Sequence, residues 1–593
     1  MKSPIALLLS LVTDVARLEP DVKGLERDVI TLKKRYENEG DGFLTVALPS
    51  LCDALDRGLA DGKFACPRGF STTPGGTIPR LFSGMFCKVF ATDTGLLERD
   101  APVGIVKCLR ELLRLFKKLV LTSDREEILD RKARLEFGEC DRMCLDEFDL
   151  SEKQLFILTA VCRSILPNID TFDERELPCK HGPGAVFETL TLNQKWQALL
   201  EHSPLLDEIG LDCVAFGHHG LTDSPIGQEY GVSGDLAKLI TVPKSNTSKR
   251  TITVEPVVRQ YVQQGLNTVL RDSISQCAVL RNCLALTDQS KNQNLALEGS
   301  RTGKWATMDL KSASDLLSVK IVEFTFQFRP RYLSWLIRAR SPRVKDGSLR
   351  YDMKKFAGMG NATTFPVQSV VFASLAIAAL LEGSNLYPSY GNIKRVSRLV
   401  RVYGDDIIVP SEHAHQVAVW IHSVGLKVNT KKTFSVGNFR ESCGVDAWKG
   451  YDVTPLYVRH YPAKPSIREP SAIAHLVSLS NHAWLKGLYS MSTHLRELVE
   501  SCLRKQLPLV RQDSGSLGWH THQNGQDFHR WNPALQRLET KSLVQVPLKK
   551  KDLVDGYAAL LKFWHTPLLG RDVGHLQKSP VRFSSRIVQR WVP

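Results

Sequence analysis

Apolar positions recur at helical spacing through the first third of the chain, most clearly over 105–121 and 154–166. Gly- and Pro-rich stretches, GDGF (40–43) and CPRGFSTTPGGTIP (66–79), break that pattern into separate helices. The apolar run at 5–12 (IALLLSLV) has a single Lys before it, Asp14 just after it and no small-residue cleavage site. It is expected to be an amphipathic first helix rather than a leader. KHGPGAV (180–186) is a turn cluster, either a plain loop or a place where the backbone approaches a ligand closely.

The middle third changes period. KLITV (238–242) and RTITV (250–254) read as two strands around a polar, basic loop. ATMDL (306–310) reads as a short strand ending in an acid, and RLVRVYGDDIIVP (398–410) as a hairpin with a Gly-Asp turn. Helical segments lie between, at 319–328 and at the apolar run 370–381 (VVFASLAIAALL). Twelve residues are too few to span a bilayer, so the run is expected to be a buried helix, with no membrane partner. Strands interleaved with helices imply an α+β domain. Beyond about residue 465 the pattern is helical, then basic and irregular.

The 593 residues suggest about four domain-sized units, and 43% hydrophobic with 24% charged residues is a globular balance. The net charge of +15 suggests a polyanionic partner, nucleic acid or an anionic surface. Lys549, Lys550 and Lys551, and further on Arg582, Arg586 and Arg590, belong to that basic tail, or are simply solvated charges. Thirteen cysteines without a CxxC pair read as reduced, mostly buried thiols. GSRTGKW (299–305) is one residue short of a phosphate loop and has Trp305 where Ser or Thr is required.

The strongest chemical signal is Tyr403-Gly404-Asp405-Asp406. Neighbouring strand side chains point to opposite faces, so a tight turn at Gly404 is needed to bring both carboxylates near one site. An ordinary hairpin turn also favours Asp and Gly. Asp309, 96 residues before Asp405, ends another strand, and the two are expected to face each other across adjacent strands. Three carboxylates so placed can hold two hard cations for phosphoryl transfer. Asp315 is placed either to accept a hydrogen bond from a ribose hydroxyl or to cap a helix.

Taken together, these stretches resemble the RNA-directed RNA polymerase subunit, or replicase beta subunit, of the single-stranded RNA bacteriophages, the leviviruses. The matching segments are VPKSNTSKRTITVEP (242–256), DQSKNQ (288–293), TMDLKSASD (307–315), MGNATTFPVQSVVFASL (359–375), VYGDDIIVP (402–410) and NTKKTFSVGNFRESCGVDAWKGYDVTPLYVR (429–459). The resemblance covers about 180–460 and implies a right-hand fold of fingers, palm and thumb, the palm a small antiparallel sheet backed by helices. It places an N-terminal helical or fingers region at 1–170 and fingers with the basic nucleotide channel at 171–300. The palm follows at 301–465, its catalytic region about 295–438, and a thumb with the basic C-terminal region at 466–593.

The resemblance also implies roles. Asp309, Asp405 and Asp406 would ligate two Mg²⁺ ions, with Mn²⁺ as a substitute and the Leu310 carbonyl assisting. Lys244, Lys249 and Arg250 would meet the incoming ribonucleoside triphosphate, and Asp315, Gly360 and Asn361 would place its ribose and the template. After Met-Gly-Asn the better-known members have Gly and then acids, whereas this chain has Ala362, with Thr364 and Ser369 as further candidates. Lys432, with Lys431 in competition, would supply a proton to pyrophosphate, and DVTPLYVR (452–459) resembles the palm-to-thumb hairpin. The implied activity is primer-independent copying of RNA in the cytoplasm of an infected bacterium. The implied partners are template and product RNA, host translation elongation factors Tu and Ts and a ribosomal protein. A reverse transcriptase shares the acids but less typically the Gly before them; a non-catalytic RNA-binding protein explains the charge but not three separated acids.

Overall fold

A computed structural model describes residues 3–119, 126–190, 194–199, 204–209, 235–461, 469–512, 515–521, 530–548, 554–565 and 585–592. Lys549–Lys551, Arg582 and the whole of residues 210–234 lie outside them.

The apolar run sits inside one long helix, Thr364–Gly383, whose side chains are buried almost throughout. Its length and composition would suit a membrane, but protein surrounds it on all sides. Ten main helices precede it. They are α1 (Pro4–Leu18), α2 (Leu25–Glu39), α3 (Leu48–Asp61), α4 (Val103–Arg114), α5 (Glu126–Arg142), α6 (Glu152–Ser164), α7 (Val257–Gln276), α8 (Ser290–Thr302), α9 (Val319–Phe326) and α10 (Pro330–Ala339). The apolar helix is α11, followed by α12 (Ala414–Ser423), α13 (Pro470–Leu485) and α14 (Tyr489–Leu503).

The first sheet pairs β1 (Leu236–Ser245) and β2 (Ser248–Val254) as an antiparallel hairpin, and β4 (Arg343–Asp346) and β5 (Leu349–Asp352) extend it. The expected basic loop of that hairpin is reduced to Asn246 and Thr247. The second sheet has the order β6-β7-β3-β8, from β3 (Trp305–Lys311), β6 (Arg401–Tyr403), β7 (Asp406–Pro410) and β8 (Lys427–Val428). All its pairings are antiparallel. Helices α6, α7, α11 and α12 pack on it through a shared apolar core that includes Met308, Ile407, Val409 and Trp420. This is the α+β layering that the alternating periods imply.

A second core joins the two ends of the chain. Side chains of α1, α3 and α4 pack with Phe434, Phe439 and Trp448 and with α13 and α14. The buried Asp14 of α1 accepts hydrogen bonds from the Ser490 and Met491 backbone N–H groups at 2.8 Å. It thereby satisfies donors at the start of α14 that no intrahelical carbonyl can reach. A third sheet, β9 (Phe439–Ser442), β10 (Val445–Trp448) and β11 (Tyr451–Asp452), bridges to this core.

Some expectations are corrected. The C-terminal stretch is not irregular. Arg530–Asn532, Arg537–Pro547 and Ser585–Val592 form a three-stranded antiparallel sheet, with Arg586 and Arg590 on its last strand. GDGF does not separate helices throughout: Gly40 ends α2, but Asp41 and Gly42 already belong to the next helical turn. In KHGPGAV, the carbonyls of Gly182 and Gly184 accept from the buried Lys195 ammonium at 2.8 and 2.6 Å, and that of Ala185 from Gln260 at 3.2 Å. The backbone is thus committed to the protein itself. The strand pairing of DVTPLYVR ends at Asp452, and the chain continues without a strand to Val458, whose N–H donates to the Leu115 carbonyl. Cysteines are free among the described residues.

Candidate active site

The acids meet at one end of the second sheet. Antiparallel register pairs Asp309 of β3 with Asp406 of β7, and Tyr403 of β6 with the same Asp406. Directly paired residues share a face, so Asp309 and Asp406 project together. This corrects the expected facing of Asp309 and Asp405: Asp405 sits in the two-residue turn and is exposed. Gly404 takes φ +64°, and an added Cβ would lie 2.7 Å from the Phe365 ring. Both the conformation and the close approach of α11 therefore require glycine there. Ser369 of α11 fixes the turn, its hydroxyl accepting from the Gly404 N–H at 3.2 Å.

Little in the protein offsets the charge of the acids. Burial raises the Asp309 carboxyl to about 6, with Asp405 and Glu441 adding to the rise; Lys432 and a hydrogen bond from Asn429 work against it. Burial, then repulsion from Asp405 and Asp309, raises Asp406 to about 7, although the Cys443 N–H donates to it at 3.2 Å. Such a site fits a hard cation supplying the missing charge. Among the described residues no group of three His, Cys, Asp or Glu side chains is gathered closely enough to hold a metal ion, so Asp309, Asp405 and Asp406 do not form a ready three-ligand site. Mg²⁺ typically takes one or two carboxylates and completes its shell with water and phosphate oxygens, so an open arrangement suits it better than a cage.

Lys432 stands beside the acids and donates to Glu441 at 2.8 Å. Burial disfavours its ammonium, but Glu441, Asp309 and Asp406 outweigh that and hold its pKa above the ordinary lysine value. The sequence left Lys431 and Lys432 in competition, and among the described residues only Lys432 has these contacts.

The other expected residues are dispersed. Lys249 turns to α5, where Asp130 and Glu126 accept its ammonium at 2.7 and 3.0 Å. Arg250 lies on the opposite face of β2, paired in register with Val242, and both Arg250 and Lys244 are exposed. Gly360 has φ +134°, and a Cβ there would collide with the Thr253 carbonyl, so it seats the loop before α11 against β2. The Asn361 side-chain oxygen accepts from the Thr363 N–H and hydroxyl at 2.8 and 2.7 Å, while its buried Nδ2 has no partner. Gln368 Oε1, on the helix that flanks the acid turn, is likewise buried and unpaired. Thr364 donates to the Gly358 carbonyl.

Asp315 does not cap a helix; Ser318 caps α9, its hydroxyl accepting from the Ile321 N–H at 3.2 Å. Asp315 pairs at 3.2 Å with Lys355, which is fully buried and also donates to the Phe137 carbonyl. Sequence reasoning assigned no role to Asn429, Glu441 or Cys443. Asn429 donates to Asp309 at 2.6 Å, and its N–H donates to the Asp309 carbonyl at 2.8 Å. All three lie within the 429–459 segment, but only the fold shows that Asn429 donates to Asp309, the Cys443 N–H to Asp406, and that Glu441 accepts from Lys432.

Residues 218–484 match the family described as RNA replicase, beta-chain. The chain is 38% identical over 259 residues to the RNA-directed RNA polymerase subunit beta of Escherichia virus Qbeta, covering 43% of this chain and 40% of that protein. It is 37% identical over 223 residues to the RNA-directed RNA polymerase beta chain of Escherichia phage MS2, covering 37% of each. The chain thus spans about 40% of the length of the curated relatives it matches. A solved structure titled "RdRp complex" superposes with a TM-score of 0.45 at 10% identity over 77% of this chain and 45% of that one. Over residues 218–484 the chain is therefore similar to the RNA replicase beta-chain family, in the same stretch where its motifs resemble the leviviruses.

Proposed function

We propose that the protein is an RNA-directed RNA polymerase that copies a single-stranded RNA phage genome by nucleotidyl transfer. The observation that carries this reading is the pairing of Asp309 with Asp406 on adjacent strands, with Asp405 in the turn beside them and their charge only partly offset by Lys432. Asp309, Asp405 and Asp406 would hold Mg²⁺, which when bound activates the attacking 3′-hydroxyl and neutralises the leaving pyrophosphate. Asn429 and the Cys443 N–H orient Asp309 and Asp406. Lys432, kept protonated by its acidic neighbours, holds the proton for pyrophosphate. Lys244 and Arg250, exposed on the β1–β2 hairpin, meet the triphosphate. Asn361, with an amide lacking a protein partner, and Asp315 are the candidates for reading the ribose.

On this reading initiation is primer-independent, the setting is the bacterial cytoplasm, and elongation factors Tu and Ts and a ribosomal protein are the partners. The test is incorporation of labelled ribonucleotides by the purified full chain on an RNA template, with Mg²⁺, with Mn²⁺ and with a chelator. Metal-dependent, template-dependent product is expected, with deoxynucleotides strongly disfavoured. A preference for deoxynucleotides, or incorporation in chelator, would overturn the reading.

A further inference from the structure

Far along the chain from the acids, α2 and the loop 69–81 enclose a cavity of about 330 Å³. Its lining includes Arg27, Arg35, Arg80, Thr31 and Ser71, with Glu39 as the one acid. The cavity lies outside the 218–484 match, in the N-terminal part of the molecule. The arginines are arranged differently. Arg35 is held flat between the Phe43 and Phe70 rings, at 4.5 and 4.6 Å from their centroids, and Glu39 takes its Nε and Nη2 as a fork. Arg27 donates to the Arg80 carbonyl at 3.1 Å and to Ser83 at 2.9 Å, which ties the loop to the helix. Arg80 is exposed, and its guanidinium has no partner among the described residues. Arg35 is engaged by Glu39 and Arg27 by the neighbouring Asp28 at 3.2 Å, which leaves the Arg80 guanidinium as the charge at this cleft without a carboxylate partner among the described residues.

We propose that this cleft binds the phosphodiester backbone of single-stranded RNA, as a site separate from the acid centre. Planar guanidiniums match phosphate oxygens in fork geometry, and the flanking hydroxyls of Thr31 and Ser71 add neutral donors. The proposed contacts are to phosphate oxygens, which carry no sequence information, so the site is expected to hold RNA without selecting sequence. The cleft also sits close to the fingers hairpin: Asn246, at the tip between β1 and β2, donates to Thr45, two residues from the Phe43 that stacks on Arg35. An RNA strand bound here would therefore run beside that hairpin. The identification of the ligand as RNA rests on the function proposed above.

The test is fluorescence anisotropy of labelled oligoadenylates with the full chain, without divalent metal or nucleotides, over a series of salt concentrations. Arg80→Glu should weaken binding about tenfold at low salt and lower the magnitude of the salt slope by about 0.7, the value for one single-strand phosphate contact. Arg80→Lys, which keeps the charge, should retain most of the affinity. Arg80 is exposed and its guanidinium makes no hydrogen bond or ion pair among the described residues, so an unchanged melting temperature should accompany both. Unchanged affinity and slope in Arg80→Glu would overturn the proposal. So would a raised nucleotide KM at constant RNA affinity, which would make the cleft a nucleotide site. Because binding is read without catalysis, loss of polymerase activity in the parent chain would sink the proposed function and leave this result standing.

Discussion

Two acidic clusters of the fold are treated in opposite ways. At the acid turn, Asp309 and Asp406 are raised towards neutral pH by burial and then by neighbouring acids, Asp405 above all. In the core that joins the chain ends, Asp56 and Asp446 are buried more deeply still, yet Arg110 bridges them and Arg114 adds a second cation to Asp56. Arg110 also donates to the Val453 carbonyl at 3.0 Å, so its donors are largely used. The second cluster is neutralised from within the protein and ties α3 and α4 to β10. The first leaves a net negative charge that burial makes costly. A cluster that the protein balances itself is a brace; one that it leaves unbalanced is a site for something that arrives from outside.

The largest expected effect breaks the comparison at the acid turn. Asp405→Asn keeps the shape but removes an anion from a repulsive set, so incorporation should fall on the order of 10³-fold while the denaturation midpoint holds or rises. Near-normal elongation by this variant would remove Asp405 from the chemistry. Arg110→Met should do the reverse. It leaves Asp56 and Asp446 short of their bridging cation and should cost about 3–5 kcal/mol in urea unfolding. A loss below about 1 kcal/mol would show that the network is not a brace.

A third substitution asks what the lone cation at the turn contributes. Lys432→Leu should lower turnover about 100-fold, as for loss of a general acid. Lys431→Leu should change it less than about twofold. Single-turnover incorporation on a fixed template separates the two, and equal losses would mean that both lysines act only as general positive charge.

How much of this was legible in the sequence differs between the clusters. The acid turn was readable because its signals are local: β-branched runs on both sides of Gly404, and an acid ending the ATMDL strand. The offset of one residue, Asp406 rather than Asp405 opposite Asp309, was not, because register is set by pairing and not by composition. The Arg110 network joins residues more than 300 positions apart, and no periodicity reports that. Lys249 read as a channel cation until α5 brought Asp130 to it. In the C-terminal sheet the alternation of Thr540, Ser542, Val544 and Val546 was available as a strand signal but was masked by the surrounding charge. Asp315 was a plausible cap from the sequence, but Ser318, three residues on, caps α9 through its hydrogen bond from the Ile321 N–H.

The smallest effect sharpens the comparison through pH. Asp309 and Asp406 ionise near 6 and 7 in the fold, against an ordinary value of 3.8. Between those limits the folded chain binds more protons than the unfolded chain. Stability of the metal-free protein should therefore fall as pH rises from about 4 to about 7. The two carboxylates titrate as a coupled pair, and the loss attributable to them should be about 1–3 kcal/mol. Urea midpoints in chelator across this range read the slope directly. Mg²⁺ should flatten it by supplying the counter-charge, and Asp406→Asn should remove most of it. Arg110→Met, which deprives two further buried carboxylates of their cation, should make it steeper. A slope that persists unchanged in Asp406→Asn, or stability that rises with pH in chelator, would mean that the protein already balances the acid turn from within, and the contrast between the two clusters would fail.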